Sequence, residues 1–149
     1  MFRVTFVLRS FDTLQDADDA LADMDDMLET LVRHNVRYLR HHPGVPSVYE
    51  AGVRYKPEEL GTENWQDIDE TLRLQTGDCE DLSCYQTAWL RRRGVRAKAF
   101  ASKRILTPDD DAVIKRGRPV GLVMYHIRYK VRTPGGRVRV YDPSRALGM

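Results

Sequence analysis

The chain is short of cysteine and of long apolar runs. Its 149 residues include two cysteines, Cys79 and Cys84. Five residues apart on one helix, they point about 140° away from each other. That makes them a poor disulfide pair and a poor metal pair. No apolar run approaches the ~18 residues of a spanning helix, which excludes an α-helical membrane protein. The opening residues, Met1 to Arg9, are too short and too interrupted for a signal peptide, so the expected compartment is the cytoplasm. Internal repeats and low-complexity tracts are also missing. Asp109-Asp110-Asp111 lacks the alternation and glycine of a calcium loop and reads as a surface loop. His34, His41 and His42 have no matching acid or cysteine cluster, so they read as a solvated helix end. No metal or cofactor is expected. Ser83 and Ser144 lack a hydrolase elbow.

What is present suffices for one folded domain spanning 1–149. Hydrophobic residues make up 42% and charged residues 31%, outside the disordered range. A chain of this size buries roughly 70% of its unfolded surface and needs no staple. The net charge of +2 hides an asymmetry. Residues 1–90 carry 18 acids and 8 bases, and residues 91–149 carry 4 acids and 16 bases. The simpler reading is two halves facing each other in one fold. The sharper one is a basic surface for an acidic partner or a nucleic acid. The basic half lacks aromatics interleaved along the sequence and any named motif, so nucleic acid is not the expected partner.

The pattern predicts α+β architecture. Residues 2–9 suit a strand. Leu14, Ala17, Leu21, Met24, Leu28, Leu31, Asn35 and Tyr38 recur every three or four residues, which predicts a helix capped at Asp12 or Thr13 and ended near His41 by Pro43-Gly44. Acids lead this helix and bases end it, complementing its dipole. The polar Asn35 favours a core-facing helix over a coiled coil. Residues 43–62 read as a loop with an extended piece at Val53–Tyr55. A short helix is expected over 63–74, and a firm one from Asp78 to about Arg93, stopped by Gly94. Arg91, Arg92 and Arg93 suit its C-terminal dipole. Strands follow at Val95–Lys103, Val123–Arg132 and Arg137–Tyr141, the last two as a hairpin. Strands grouped after a central helix imply an antiparallel sheet packed on helices. Residues 1–42 form the strand and long helix, and 43–149 the core.

Three places carry chemistry. Asp78 is a natural N-cap with Asp81 at the capping-box position, so Cys79 falls in the first turn of a helix. Free N–H groups and the positive dipole end there favour a thiolate and can hold an oxyanion. Asp78, Glu80 and Asp81 oppose this, so a cation must assist. His126 lies on the strand face away from Tyr125, Ile127 and Tyr129. The third is Asp142. With a three-residue loop, Thr133-Pro134-Gly135, His126 pairs with Asp142; with the two-residue loop Pro134-Gly135, Asp142 lies one step away. An aspartate there fixes the imidazole tautomer, and a protonated His126 is the cation Cys79 needs. The same residues also fit a plainer reading: a buried Cys79, a surface His126, and an Asp142 that caps a turn.

Gly77-Asp78-Cys79-Glu80-Asp81-Leu82, the run into Gly94-Val95-Arg96-Ala97, Tyr125-His126-Ile127 and Val140-Tyr141-Asp142-Pro143-Ser144 together resemble the transglutaminase-like superfamily, with its papain-like cysteine peptidase core. The likeness covers about residues 45–145. Tyr49 to Tyr55, with Glu63-Asn64-Trp65, is similar to a subgroup found in phage and prophage genomes, which would place the protein in a virion as an alternative to the cytoplasm. The resemblance implies acyl transfer on peptide or isopeptide amides through Cys79, His126 and Asp142, by hydrolysis or by transfer to an amine. It implies a protein or peptide substrate, and an upstream oxyanion side chain for which Gln75 and Trp65 are the candidates. The alternative is a non-catalytic assembly module, as in a phage particle, with the helix from Asp12 to His42 as its interaction element.

Overall fold

The computed structural model describes residues 14–59, 64–105, 107–108 and 123–149. The expected strand at 2–9, the caps Asp12 and Thr13, Glu63 and the triple aspartate at 109–111 lie outside the described residues. What remains is an α+β fold with a three-stranded antiparallel sheet.

Helix α1 (Leu14–His41) buries Leu28, Val32, Asn35 and Leu39, while Leu31 and Tyr38 are half-buried. The buried stripe is therefore turned by about one residue from the expected one. The cause is its position: α1 packs on α3 and along β3, so its buried arc is wide. Asn35 has a specific purpose, because its Oδ1 accepts the Ile68 N–H at 3.1 Å and so caps the next helix.

Helix α2 (Ile68–Leu74) starts five residues later than expected. Asp67 sets the start by accepting the Glu70 N–H at 2.9 Å. Gln75 closes it in the left-handed region, with φ 56°. Strands β1 (Arg54–Tyr55) and β2 (Thr76–Gly77) then form a parallel pair, too short to show any sequence period.

Helix α3 (Cys79–Arg92) is the centre of the molecule. Every residue from Glu80 to Ala88 is buried. Leu82, Cys84, Tyr85 and Ala88 share the core with Leu28, Val32, Val48, Ile68, Ala99 and Ile127. Tyr85, Gln86 and Trp89 hold the preceding loop through Pro46 O, Val48 N and Val45 O. Arg91 does more than suit the dipole, since it grips both carboxylate oxygens of Glu29 (2.7 and 2.9 Å) and Ala97 O (2.6 Å). Both cysteines are free thiols, and Cys84 is fully buried.

Strands β3 (Arg96–Ile105), β4 (Val123–Arg132) and β5 (Val138–Tyr141) form the sheet in that order. Ala97, Ala99, Ile127 and Tyr129 are buried on the inner, helix-covered face. A one-turn helix, α4 (Pro143–Ala146), follows the hairpin.

Candidate active site

The hairpin turn decides where Asp142 falls. Thr133 N–H donates to Arg137 O at 2.8 Å, and Gly136 N–H to Thr133 O at 2.9 Å. The three loop residues are thus Pro134, Gly135 and Gly136, not Thr133-Pro134-Gly135. Gly136 takes φ 80°, the left-handed position that ends such loops. The ladder is consequently shifted by two residues, pairing Tyr129 with Tyr141. Asp142 lies diagonally across from His126, not opposite. An even shift keeps both on one face, and Asp142 Oδ2 lies 2.8 Å from His126 Nε2. Asp142 also caps α4 through Arg145 N–H, so the capping reading and the histidine contact hold together.

The thiol is placed by the free edge of β4. Because β5 stops opposite Tyr129, Ile127 has no β5 partner. Helix α3 supplies one instead. Ser83 Oγ donates to Ile127 O at 3.2 Å, and the Ile127 N–H lies close enough to Cys79 Sγ to favour its thiolate. Cys79 and Ser83 are four residues apart, hence on one helix face. The sulfur is thereby fixed beside the residue that follows His126. Helix α3 packs on the inner face, whereas His126 and Asp142 leave from the outer one. Thiol and imidazole thus lie on opposite faces of the sheet, the sulfur beside Ile127 and the ring on the residue before it.

The resting thiol is neutral. Its Sγ–H donates to Glu80 Oε2 at 3.2 Å. Burial chiefly, then the charges of Glu80 and Asp78, push the Cys79 thiol well above its ordinary range, and the Ile127 N–H works against them. The acids responsible are themselves buried. Asp78 and Asp81 form a reciprocal capping box, and Asp81 takes the Gln66 N–H at 2.6 Å and the Asp78 N–H at 3.1 Å. Burial holds Asp81 well above the usual carboxyl range, and Asp78 is also raised.

Oxygens of Asp78, Glu80 and Asp81 lie within 4.8 Å of one another, the spacing of a cation site. Asp81 spends both oxygens on backbone N–H groups, whereas Asp78 Oδ1 is buried without a hydrogen-bond partner. Asp78 and Asp81 together cap the helix.

The chain matches no family model, no curated protein and no solved structure.

The two oxyanion candidates lie elsewhere in their contacts. Gln75 Nε2 donates to Leu72 O at 2.6 Å, closing α2 at the surface. Trp65 packs against the core. In the sequence Glu80 stands only as a charge opposing the thiolate and Ser83 only as lacking a hydrolase elbow; in the structure Glu80 accepts the thiol's hydrogen bond, and Ser83 anchors the helix. Tyr49, through a 3.0 Å contact with Tyr129 hydroxyl, joins an aromatic wall in which Tyr129 stacks on Tyr141 at 5.2 Å. Asp142 contributes to raising the Tyr49 hydroxyl, after burial. The place of Glu80 next to Cys79 and the spacing from Cys79 to Ser83 are the signals in the sequence; Tyr49 has none.

Proposed function

We propose that this chain is a transglutaminase-like thiol acyltransferase or amidase acting on peptide or isopeptide amides. The observation that carries the reading is the 2.8 Å His126–Asp142 contact at the β4 edge where Cys79 is anchored. With Nε2–H donated to Asp142, His126 Nδ1 carries the lone pair. Nδ1 takes the Cys79 proton, and the sulfur attacks the amide carbonyl carbon. The carbonyl electron pair moves to oxygen, where the Cys79 N–H, left over by the capping box, is the donor at hand. The carbonyl re-forms as the C–N bond breaks, and His126 passes its proton to the leaving amine. Water or a second amine then attacks the thioester, gives its proton to Nδ1, and returns the thiol.

A specific observation favours a second reading, that of a non-catalytic assembly module. The Cys79 thiol is pushed upward, and its sulfur and Ser83 together bind the Ile127 backbone. On that reading the residue is a structural clip and α1 the interaction element.

Iodoacetamide labelling against pH, read by peptide mass spectrometry, separates the two. Cys84 is the buried internal control. The enzyme reading expects labelling of Cys79 below pH 8 that is lost in His126→Ala. Slow labelling that rises only at alkaline pH, equal in both proteins, supports the clip. Both readings place the chain in a reducing compartment, such as the cytoplasm, where two free thiols persist.

A further inference from the structure

The outer face of the sheet carries a row of cations, several of them without a carboxylate partner among the described residues. The register sets Arg96 opposite Arg132 and Lys98 opposite Lys130. Like charges placed directly across a ladder repel each other. Val138 and Val140, 51% and 50% exposed, sit opposite Arg132 and Lys130 on the same face. Arg91, Arg96, Lys98, Lys130 and Arg132, with Val138 at the rim, line a concavity of about 460 Å³.

Two of these cations already hold anions, and both anions are carboxylates of one acidic helix. Asp25 of α1 lies 2.7 Å from Lys98, and Glu29 of α1 grips Arg91. Among the described residues, no carboxylate is within ion-pair distance of Arg96, Lys130 or Arg132. Arg128 Nε, shielded from water, has no acceptor. Along β4, His126, Arg128, Lys130 and Arg132 alternate and so share the outer face, a line of roughly 20 Å at ~3.4 Å per residue.

We propose that this face binds an extended acidic polypeptide segment laid from Arg96 and Arg132 toward His126, and that it selects acidic acyl substrates. The selection rests on the acyl-transfer reading above, and the binding does not. Carboxylates of α1 on Lys98 and Arg91 show which anion this patch accepts. The exposed valines suit side chains of a peptide. A single-stranded nucleic acid needs open aromatic faces for its bases. Here Phe100 has Arg128 and Lys130 over its ring at 5.4 and 5.1 Å, which fills that position.

The test is fluorescence anisotropy with a labelled Glu-Ser repeat peptide, a neutral Gln-Ser repeat and an oligothymidylate of matched charge. The Glu-Ser peptide is expected to bind the intact chain, and to do so equally in Cys79→Ser. Binding should weaken about tenfold or more in Lys130→Glu/Arg132→Glu and in the milder Lys130→Gln/Arg132→Gln. Arg54→Glu, a charge change on exposed β1, should leave it unchanged. Equal binding by wild type and both double variants overturns the proposal, as does an oligothymidylate that binds as tightly as the Glu-Ser peptide. Failure of acyl transfer reads differently: the peptide still binds, and no thioester or product forms. Turnover that is indifferent to substrate charge and to both double variants retains the enzyme and rejects the acidic selection.

Discussion

His126 and Asp142 meet as diagonal neighbours across the end of a hairpin, 2.8 Å apart, and not as a directly opposed pair. The geometry depends on β5 ending at Tyr141, which frees Asp142 to reach back along β4. On the enzyme reading, Asp142→Asn leaves the fold intact and disturbs the imidazole tautomer. Turnover should fall by about 10²–10⁴-fold, the usual contribution of a positioned acid–base group. Steady-state kcat and KM check this, with kcat taking the loss. Asp142→Ala should in addition lower stability by about 1 kcal/mol through the α4 cap, measured by urea unfolding.

Ser83 predicts a stability effect that does not depend on catalysis. Its hydroxyl is the donor to the buried Ile127 carbonyl. Ser83→Ala leaves that carbonyl without its partner and should cost about 1–3 kcal/mol. Cys79→Ser keeps an acceptor for the Ile127 N–H, so it should be milder than Cys79→Ala. Urea midpoints of the three variants test the order. Hydrogen exchange at the Ile127 amide should speed up in Cys79→Ala more than in Cys79→Ser.

Much of this fold is legible in the sequence because its elements are long and periodic. Helix α1 and strand β4 follow from their apolar spacing, β5 from the turn before it, and α3 from its two ends, Asp78 and Gly94, the latter at φ 78°. The parallel β1–β2 pair is not legible, since two residues carry no period. The hairpin register fails by two for a definite reason. Four candidate turn residues stand in a row, and only the demand for a left-handed glycine at the last position selects Pro134-Gly135-Gly136. The site is half legible. His126 and Asp142 fall on one face under any even shift, whereas the docking of Cys79 on Ile127 is a long-range contact with no local signal.

Glu80 accepts the hydrogen bond of the Cys79 thiol, and its charge raises that thiol, second only to burial. Removing a like charge favours the thiolate. Glu80→Gln should therefore shift the pH profile of Cys79 labelling downward and raise the rate at pH 7. Burial remains, so the profile should stay above that of a free thiol unless His126 contributes. Iodoacetamide rates for Glu80→Gln and for Glu80→Gln/His126→Ala measure the two effects separately.

Gly77 lies directly under the capping box. A Cβ there would stand 2.9 Å from Asp81 Cβ and 3.4 Å from Leu82 Cδ2. Neither neighbour is the loose end of a surface chain, so the helix start must move. Gly77→Ala should destabilise by about 1–3 kcal/mol, as overpacking does. Its Asp78 N–H should also exchange faster, because the 3.1 Å bond to Asp81 is disturbed.

The buried acids give stability a definite pH slope. Asp81 and Asp78 are raised by burial, so the folded state holds protons that the unfolded chain releases. That contribution is fully present below the unfolded carboxyl range, near ~3.9, and is lost as pH rises through the folded values. Glu29 acts in the opposite sense, since Arg91 lowers it, and its contribution is lost as pH falls through its folded value. Glu29 is partly exposed, so its pair with Arg91 is worth little, about 0–1 kcal/mol. Above the ordinary carboxyl range the acids of the cap dominate, and the melting temperature should fall as pH rises through their raised folded values. In Asp81→Asn the new amide faces the Asp78 N–H as a second donor and lowers stability at every pH. The diagnostic quantity is consequently the slope. It should flatten in Asp81→Asn, and an unchanged slope in differential scanning fluorimetry would show that Asp81 is ionised in the folded protein throughout that rise.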